Sequence, residues 1–158
     1  MRDAHGRTID YIRLSVTDRC NLRCTYCMAE DMQFLPRRDL LTFEEIETLC
    51  AHLVTRGVRR IRLTGGEPLV RKGIVDLVQR IAALSAHGLE EVTLTTNGTR
   101  LPEMANDLAE AGIRRVNISL DTLDRALPGI ANPVLLIHAR GDDAIPLSGV
   151  QDAARKLP

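Results

Sequence analysis

Cys20, Cys24 and Cys27 stand in the run Cys20-Asn21-Leu22-Arg23-Cys24-Thr25-Tyr26-Cys27, a C-x3-C-x2-C spacing. Three thiolates on one short loop can hold three corners of a 4Fe–4S cube, which a fourth cysteine would close. A cube held by three cysteines keeps one iron open. S-adenosylmethionine can chelate that iron through its amino and carboxylate groups, and an electron from the cluster then cleaves the sulfonium to leave a carbon radical. Two other readings stay open. A zinc site would want a fourth Cys or His, but Cys50 falls at an apolar helical position, and His5 and His52 lack the paired spacing of a finger. A disulfide would leave one of the clustered cysteines over.

The elements that must position this loop are legible along the chain. Tyr11 to Val16 reads as a first strand ending at the cysteines. Thr42-Phe43-Glu44-Glu45 predicts a capping box, with Thr42 as N-cap and Glu45 at the third helical position. Ile46, Leu49, Cys50 and Leu53 follow at helical spacing and Gly57 supplies the stop, so Cys50 faces the core as a small hydrophobe. Ile61 to Thr64 is a second strand, running into Gly65-Gly66-Glu67-Pro68. A second helix carries Ile74, Leu77, Val78, Ile81 and Leu84 on one stripe and ends before Gly88. Val92 to Thr96 is a third strand closed by Asn97-Gly98, Pro102 fits the first turn of a third helix ending near Gly112, and Val116 to Leu120 is a fourth strand. Strands alternating with helices predict right-handed parallel βαβ units. The motifs follow strand ends, the rim where β/α barrels and open parallel sheets place their chemistry.

At 158 residues the chain is one domain by length, with a formal net charge of zero. Its pI is about 6.9, so nothing advertises a nucleic acid or a membrane surface as partner. No apolar run approaches a membrane span, and Met1-Arg2-Asp3-Ala4-His5 is no signal peptide. Clustered cysteines in such a chain point to metal ligands in a reducing cytoplasm. With no Trp, two Phe and two Tyr, aliphatic side chains must fill the core, which favours an α/β architecture with buried Val- and Ile-rich strands.

Four stretches carry a resemblance: Leu14-Ser15-Val16-Thr17-Asp18-Arg19-Cys20, Thr64-Gly65-Gly66-Glu67-Pro68, Thr95-Thr96-Asn97-Gly98 and Asn117-Ile118-Ser119-Leu120-Asp121. Together, from about Tyr11 to Asp124, they resemble the N-terminal part of the radical S-adenosylmethionine enzymes of the GTP 3′,8-cyclase type, which open molybdenum-cofactor synthesis. The resemblance implies an α/β fold, an incomplete parallel β/α barrel of the radical SAM type. It implies a 4Fe–4S cluster on Cys20, Cys24 and Cys27, S-adenosylmethionine held by Tyr26, Gly66 and Ser119, and GTP met by Arg13, Arg62 and Thr95. A reductant protein would supply the electron. Glu67 could accept hydrogen bonds from the ammonium of the methionine moiety. Read without the family, Gly65-Gly66 is a turn, Tyr26 an aromatic packed over the loop, Ser119 a solvated strand residue, and Arg13 and Arg62 part of an outward, solvated set with Arg59, Arg60, Arg114 and Arg115.

The resemblance stops at Asp124. The family's chains are longer and carry a second cluster region that contacts GTP, which nothing after Asp124 matches. Residues 1–124 are therefore expected to form a truncated core and residues 125–158 a strand–loop–helix tail. The run Pro133-Val134-Leu135-Leu136-Ile137-His138, with Asp142 and Ile145-Pro146 behind it, resembles a late strand of an α/β-hydrolase, Asp142 falling where that family keeps its triad acid. No G-x-S-x-G elbow is present, and an acid alone does no chemistry. The plain alternative is a fifth parallel strand and a final helix from Ser148 to Lys156. The alternative to a cyclase-type enzyme is a remnant that binds cluster and S-adenosylmethionine without turning GTP over. An unclosed sheet has a free edge through which copies of the chain could pair as a homo-oligomer.

Overall fold

The computed structural model describes residues 2–24, 27, 31–119 and 145–146. Four parallel strands, β1 (Tyr11–Ser15), β2 (Arg60–Thr64), β3 (Glu91–Thr96) and β4 (Arg115–Ile118), lie side by side in chain order. Helices α1 (Phe43–Thr55), α2 (Ile74–Ala82) and α3 (Leu101–Glu110) connect them. A doubly wound sheet reverses its strand order at a switch point. This one does not, and its helices share a core with one face alone, so the described sheet is an arc of a β/α barrel. A two-residue strand, β5 (Ile145–Pro146), pairs antiparallel with β4, Val116 opposite Ile145. Proline suits such an edge, having no N–H for a further neighbour. The expected strand at 133–137, the helix at 148–156, Asp142 and Tyr26 lie outside the described residues.

The capping box forms: Thr42 Oγ1 accepts from the Glu45 N–H at 3.2 Å, and Glu45 Oε2 accepts from the Thr42 N–H at 2.7 Å. A cap of this kind contributes about 1 kcal/mol. Some bounds differ from those expected. The second helix turns 3₁₀ over Ala83–His87 before Gly88, β1 ends one residue early at Ser15, and β2 begins one residue early at Arg60. Ile12, Leu14 and Val16 from the first strand segment, Ile61, Leu63, Val92, Leu94 and Val116 meet Ile46, Cys50, Leu77, Ile81 and Leu108 of the helices in one apolar core. Cys50 is fully buried there. Burial pushes its thiol up to about 11, so it stays protonated and is no ready metal ligand.

Because side chains alternate along a strand, the opposite face of the same sheet is polar. The register aligns Tyr11, Arg60 and Glu91 in one row, Arg13, Arg62, Thr93 and Arg115 in the next, and Ser15 with Thr64 and Thr95 with Asn117 nearest the strand ends.

Candidate functional site

The cysteine loop leaves β1 through a stem held on three sides. Its backbone is laced to the turn after β2, the Gly66 N–H donating to Thr17 O and the Glu67 N–H to Arg19 O, both at 2.8 Å. Side chains have no room between these strands of backbone. A Cβ on Gly66 would fall on the Arg19 carbonyl, 2.7 Å from its carbon and 2.8 Å from Asp18 O, and one on Gly65 would meet Thr17. The glycine pair is thus required by the close approach of two backbones. Asp18 Oδ2 takes the Leu35 N–H at 2.6 Å, and the Arg19 and Arg23 guanidinium groups lie 5.9 and 5.4 Å from the Phe34 ring centroid. Arg71, which the sequence reading passed over, closes the third side. It donates to Val16 O and, at 2.5 Å, to Leu41 O, with its guanidinium 4.5 Å from the Phe43 ring. Desolvation lowers its pKa below the ordinary arginine value.

Glu67 does not wait for an external ammonium. It is 1% exposed. Its Oε1 accepts from the Leu69 N–H at 3.0 Å and the Thr96 hydroxyl at 2.7 Å, and its Oε2 from the Asn97 N–H at 2.7 Å. The carboxylate is the joint between the turns after β2 and β3, and its burial is what the sequence pattern did not reveal. The β3 turn in turn reaches the cysteines, since Asn97 Nδ2 donates to Asn21 Oδ1 at 2.9 Å and to Cys20 Sγ at 3.8 Å.

None of the three loop cysteines is in a disulfide; Cys20 and Cys24 are half-buried, Cys27 is exposed, and the Cys27 N–H donates to Cys24 O at 2.9 Å. Among the described residues no three Cys, His, Asp or Glu side chains converge into a ready-made metal centre. The donor set nonetheless fits a thiolate-bound cluster. Cys20 Sγ receives two N–H donors, from Leu22 at 3.4 Å and from Asn97, of the kind that would stabilise a cluster-bound sulfur, and lies 4.0 Å from Asn21 Oδ1.

The sequence-nominated substrate residues share the polar face. Arg13 is exposed and Arg62 half-buried, adjacent in register. Arg62 Nε donates to Thr93 Oγ1 at 3.4 Å and its guanidinium lies 5.4 Å from the Tyr11 ring centroid. Of the four arginines grouped with them as solvated, Arg114 is exposed as expected, while three are engaged: Arg59 donates to Gly88 O at 2.8 Å, Arg60 pairs with Asp10 at 3.2 Å, and Arg115 forks onto both Glu91 oxygens at 2.6 and 2.5 Å. Arg115 and Glu91 lie on the sheet face with their long side chains reaching each other, a cross-strand partner that periodicity alone does not reveal. Ser119 is exposed, and its hydroxyl donates to Thr96 O at 3.3 Å. Among the described residues, four buried polar atoms have no partner: Tyr11 Oη, Asp18 Oδ1, Thr95 Oγ1 and Asn117 Oδ1. Three of them belong to the polar face, and Tyr11 and Asn117 were not nominated from sequence.

The Radical SAM superfamily model matches residues 14–156, nearly the whole of this strand–turn series. The chain belongs to the radical SAM superfamily. Membership carries with it a 4Fe–4S cluster and S-adenosylmethionine as cofactors, the pair expected from the cysteine spacing. Among curated proteins, the chain is similar to the GTP 3′,8-cyclase of Mesorhizobium japonicum, at 60% identity over 125 residues, 78% of this chain and 38% of the relative. That of Rhizobium leguminosarum bv. trifolii is 53% identical over 156 residues, 99% of this chain and 43% of the relative. That of Rhodopseudomonas palustris is 59% identical over 125 residues, 78% and 36% respectively. The chain thus spans about two fifths of the length of these relatives. The superfamily match and the Rhizobium alignment both run past residue 125, and nothing in them supports the hydrolase-like reading of the tail. A solved structure, that of BtrN in complex with AdoMet and 2-DOIA, superposes with a TM-score of 0.53 at 21% identity, covering 71% of this chain and 46% of BtrN. Among the described residues no helix is long and apolar enough to cross a membrane.

Proposed function

We propose that this chain carries the cluster, cofactor and part of the nucleotide site of a GTP 3′,8-cyclase acting in molybdenum-cofactor synthesis. Cys20, Cys24 and Cys27 hold the 4Fe–4S cluster; Tyr26, Gly66 and Ser119 contact S-adenosylmethionine; Arg13, Arg62 and Thr95 meet GTP. In this reading residues 1–124 are the part that carries the site, a reductant protein delivers the electron in the cytoplasm, and the free sheet edge is where a second copy would pair. When bound, the cluster and S-adenosylmethionine supply a carbon radical.

The observation that carries the reading is the charge pattern of the polar face. At the N-terminal ends of the strands, Arg60 and Arg115 are neutralised by Asp10 and Glu91. One row beyond Arg60, in the row they share with Arg115, Arg13 and Arg62 have no carboxylate within ion-pair distance among the described residues. Two neighbouring uncompensated guanidinium groups suit a polyanion such as a triphosphate. Beyond them, Thr95 Oγ1 and Asn117 Oδ1 are buried polar atoms without partners, which a sugar or base edge would satisfy. The chain's own residues thus orient the nucleotide with its phosphates on the arginines and its neutral part toward the cysteine loop.

Anaerobic reconstitution tests this. The chain should take up about four irons, and the electron paramagnetic resonance signal of the reduced cluster should change when S-adenosylmethionine is added. Calorimetric titration with GTP should show binding that weakens with salt, as charge-based contacts do, and that is lost in Arg62→Ala. Product analysis then separates the two activities. 5′-Deoxyadenosine together with cyclised nucleotide supports the cyclase, 5′-deoxyadenosine alone supports a cofactor-cleaving chain without GTP turnover, and failure to load iron rejects both.

A further inference from the structure

Asn97 stands outside the polar face, yet its side chain is the most fully determined in the β3 turn. Its Oδ1 accepts both the Thr99 N–H, at 3.1 Å, and the Thr99 hydroxyl, at 2.8 Å. Its Nδ2 is therefore the end that faces Asn21 Oδ1 and Cys20 Sγ. Flipping the amide would set oxygen against oxygen at Asn21 and N–H against N–H at Thr99, so the network itself assigns the orientation. Asn21 closes the ring by donating from Nδ2 to Thr99 Oγ1 at 2.8 Å. The backbone is pinned as well, because the Asn97 N–H donates to the buried Glu67 carboxylate, which also holds Thr96. An amide fixed at both ends with one donor aimed at a cysteine sulfur has little use as solvent-facing decoration.

A neutral thiol is a weak acceptor. A thiolate is a strong one, and N–H donors to cluster sulfurs favour the state carrying the extra electron. We propose that Asn97 is a positioning residue for the iron–sulfur centre: its side-chain amide donates to the Cys20 thiolate, fixes that ligand's direction and makes the cluster easier to reduce. Leu22 N–H supplies a backbone donor to the same sulfur, so Asn97 is the side chain through which the β3 turn reaches the cluster. The inference rests on the reading of Cys20 as a cluster ligand.

The test reconstitutes wild-type protein, Asn97→Ala and Thr99→Val anaerobically, measures iron, and follows reduction by electron paramagnetic resonance against potential without S-adenosylmethionine. Asn97→Ala should hold iron but lose about tenfold in its reduced-to-oxidised ratio at a fixed potential, a shift of about 59 mV for one electron. Thr99→Val, which keeps the amide and its bond from the residue-99 N–H but removes the hydroxyl that ties it to Asn21, should fall between Asn97→Ala and wild type. A midpoint unchanged in iron-loaded Asn97→Ala overturns the proposal. Should that variant not fold, an unchanged midpoint in Thr99→Val overturns it equally, and failure of both to fold makes Asn97 a folding element and overturns it as well. Wild-type protein that takes up no iron sinks the cluster reading instead, which the iron assay reports before any potential is measured.

Discussion

Gly66→Ala separates two reasons for a glycine after β2. If the glycine serves close approach by a cofactor, the alanine variant should be as stable as wild type and should fail when S-adenosylmethionine arrives. The packing says otherwise. The added methyl would overlap the Arg19 carbonyl oxygen and lie 2.7 Å from its carbon and 2.8 Å from Asp18 O, and ordinary contact begins at 3.4 Å, so the stem must retreat by at least about 0.7 Å. Backbone on both sides leaves no flexible side chain to yield. The retreat strains the Gly66 N–H to Thr17 O and Glu67 N–H to Arg19 O bonds, each contributing about 1 kcal/mol, while overpacking adds about 1–3 kcal/mol. With partial relaxation the loss is about 3 kcal/mol, which for a chain this size lowers the melting temperature by about 10 °C. Circular-dichroism melts of the metal-free protein, paired with iron content after reconstitution, measure it. Both should fall, because the displaced stem carries Cys20. A metal-free Gly66→Ala protein that melts with wild type would refute the reasoning.

Cys24→Ala should abolish iron uptake, while Cys50→Ala should keep it and lose about 1 kcal/mol of packing; iron loss in Cys50→Ala equal to that in Cys24→Ala would show the ligands misassigned. The Cys50 thiol, raised by burial to about 11 from 9.0, holds its proton in the folded state where the unfolded chain releases it. Stability should therefore decline from about pH 9 with a slope approaching 1.4 kcal/mol per pH unit until about pH 11. Denaturant titrations of Cys50→Ala should lack that component, and identical pH profiles would argue against it. Arg13→Ala and Arg62→Ala should each weaken binding of GTP and of inorganic triphosphate in parallel, measured by calorimetry at low salt; loss for GTP with triphosphate unaffected would place the arginines on the base rather than the phosphates.

Much of this is legible in the sequence. The strands β1–β4, their helices and the Thr42–Glu45 capping box follow from local signals: alternation, helical spacing, and N-cap chemistry acting within a turn. The sharing of one face by Arg13, Arg62 and Thr95 also follows once the strands are parallel and in register. What the sequence could not give was long-range and polar. Glu67 reads as a free acid after a glycine turn, but its fate depends on Thr96 and Asn97 of another strand, about thirty residues away. Arg115 looks outward on periodicity alone until Glu91 is seen on the adjacent strand, and Arg71 acquires meaning when Val16 and Leu41 converge on it. Such partners are fixed by topology, and composition and spacing do not encode them locally.

A consequence bears on how turn motifs in this fold are understood. Gly65-Gly66, Glu67 and Asn97 each follow a strand end, where ligands bind, and each invites assignment as a ligand contact. Their first engagements are with one another. The glycines admit the stem of the cysteine loop, Glu67 ties the β2 turn to the β3 turn, and Asn97 ties the β3 turn back to Asn21 and Cys20. A cluster ligand on a short loop has little stiffness of its own, because a loop of this kind buries few apolar contacts. Rigidity has to be borrowed from the strands, and among the described residues the groups that reach the loop sit at the strand ends. A ring of paired polar groups anchored on the buried Glu67 carboxylate and Thr96 hydroxyl provides that rigidity, since breaking a bond at that anchor leaves a buried partner unsatisfied at a cost of about 1–3 kcal/mol. Substitutions along the ring should therefore be strongly non-additive, the first removing most of what the second would have removed, which distinguishes one shared frame from separate contacts to a common ligand.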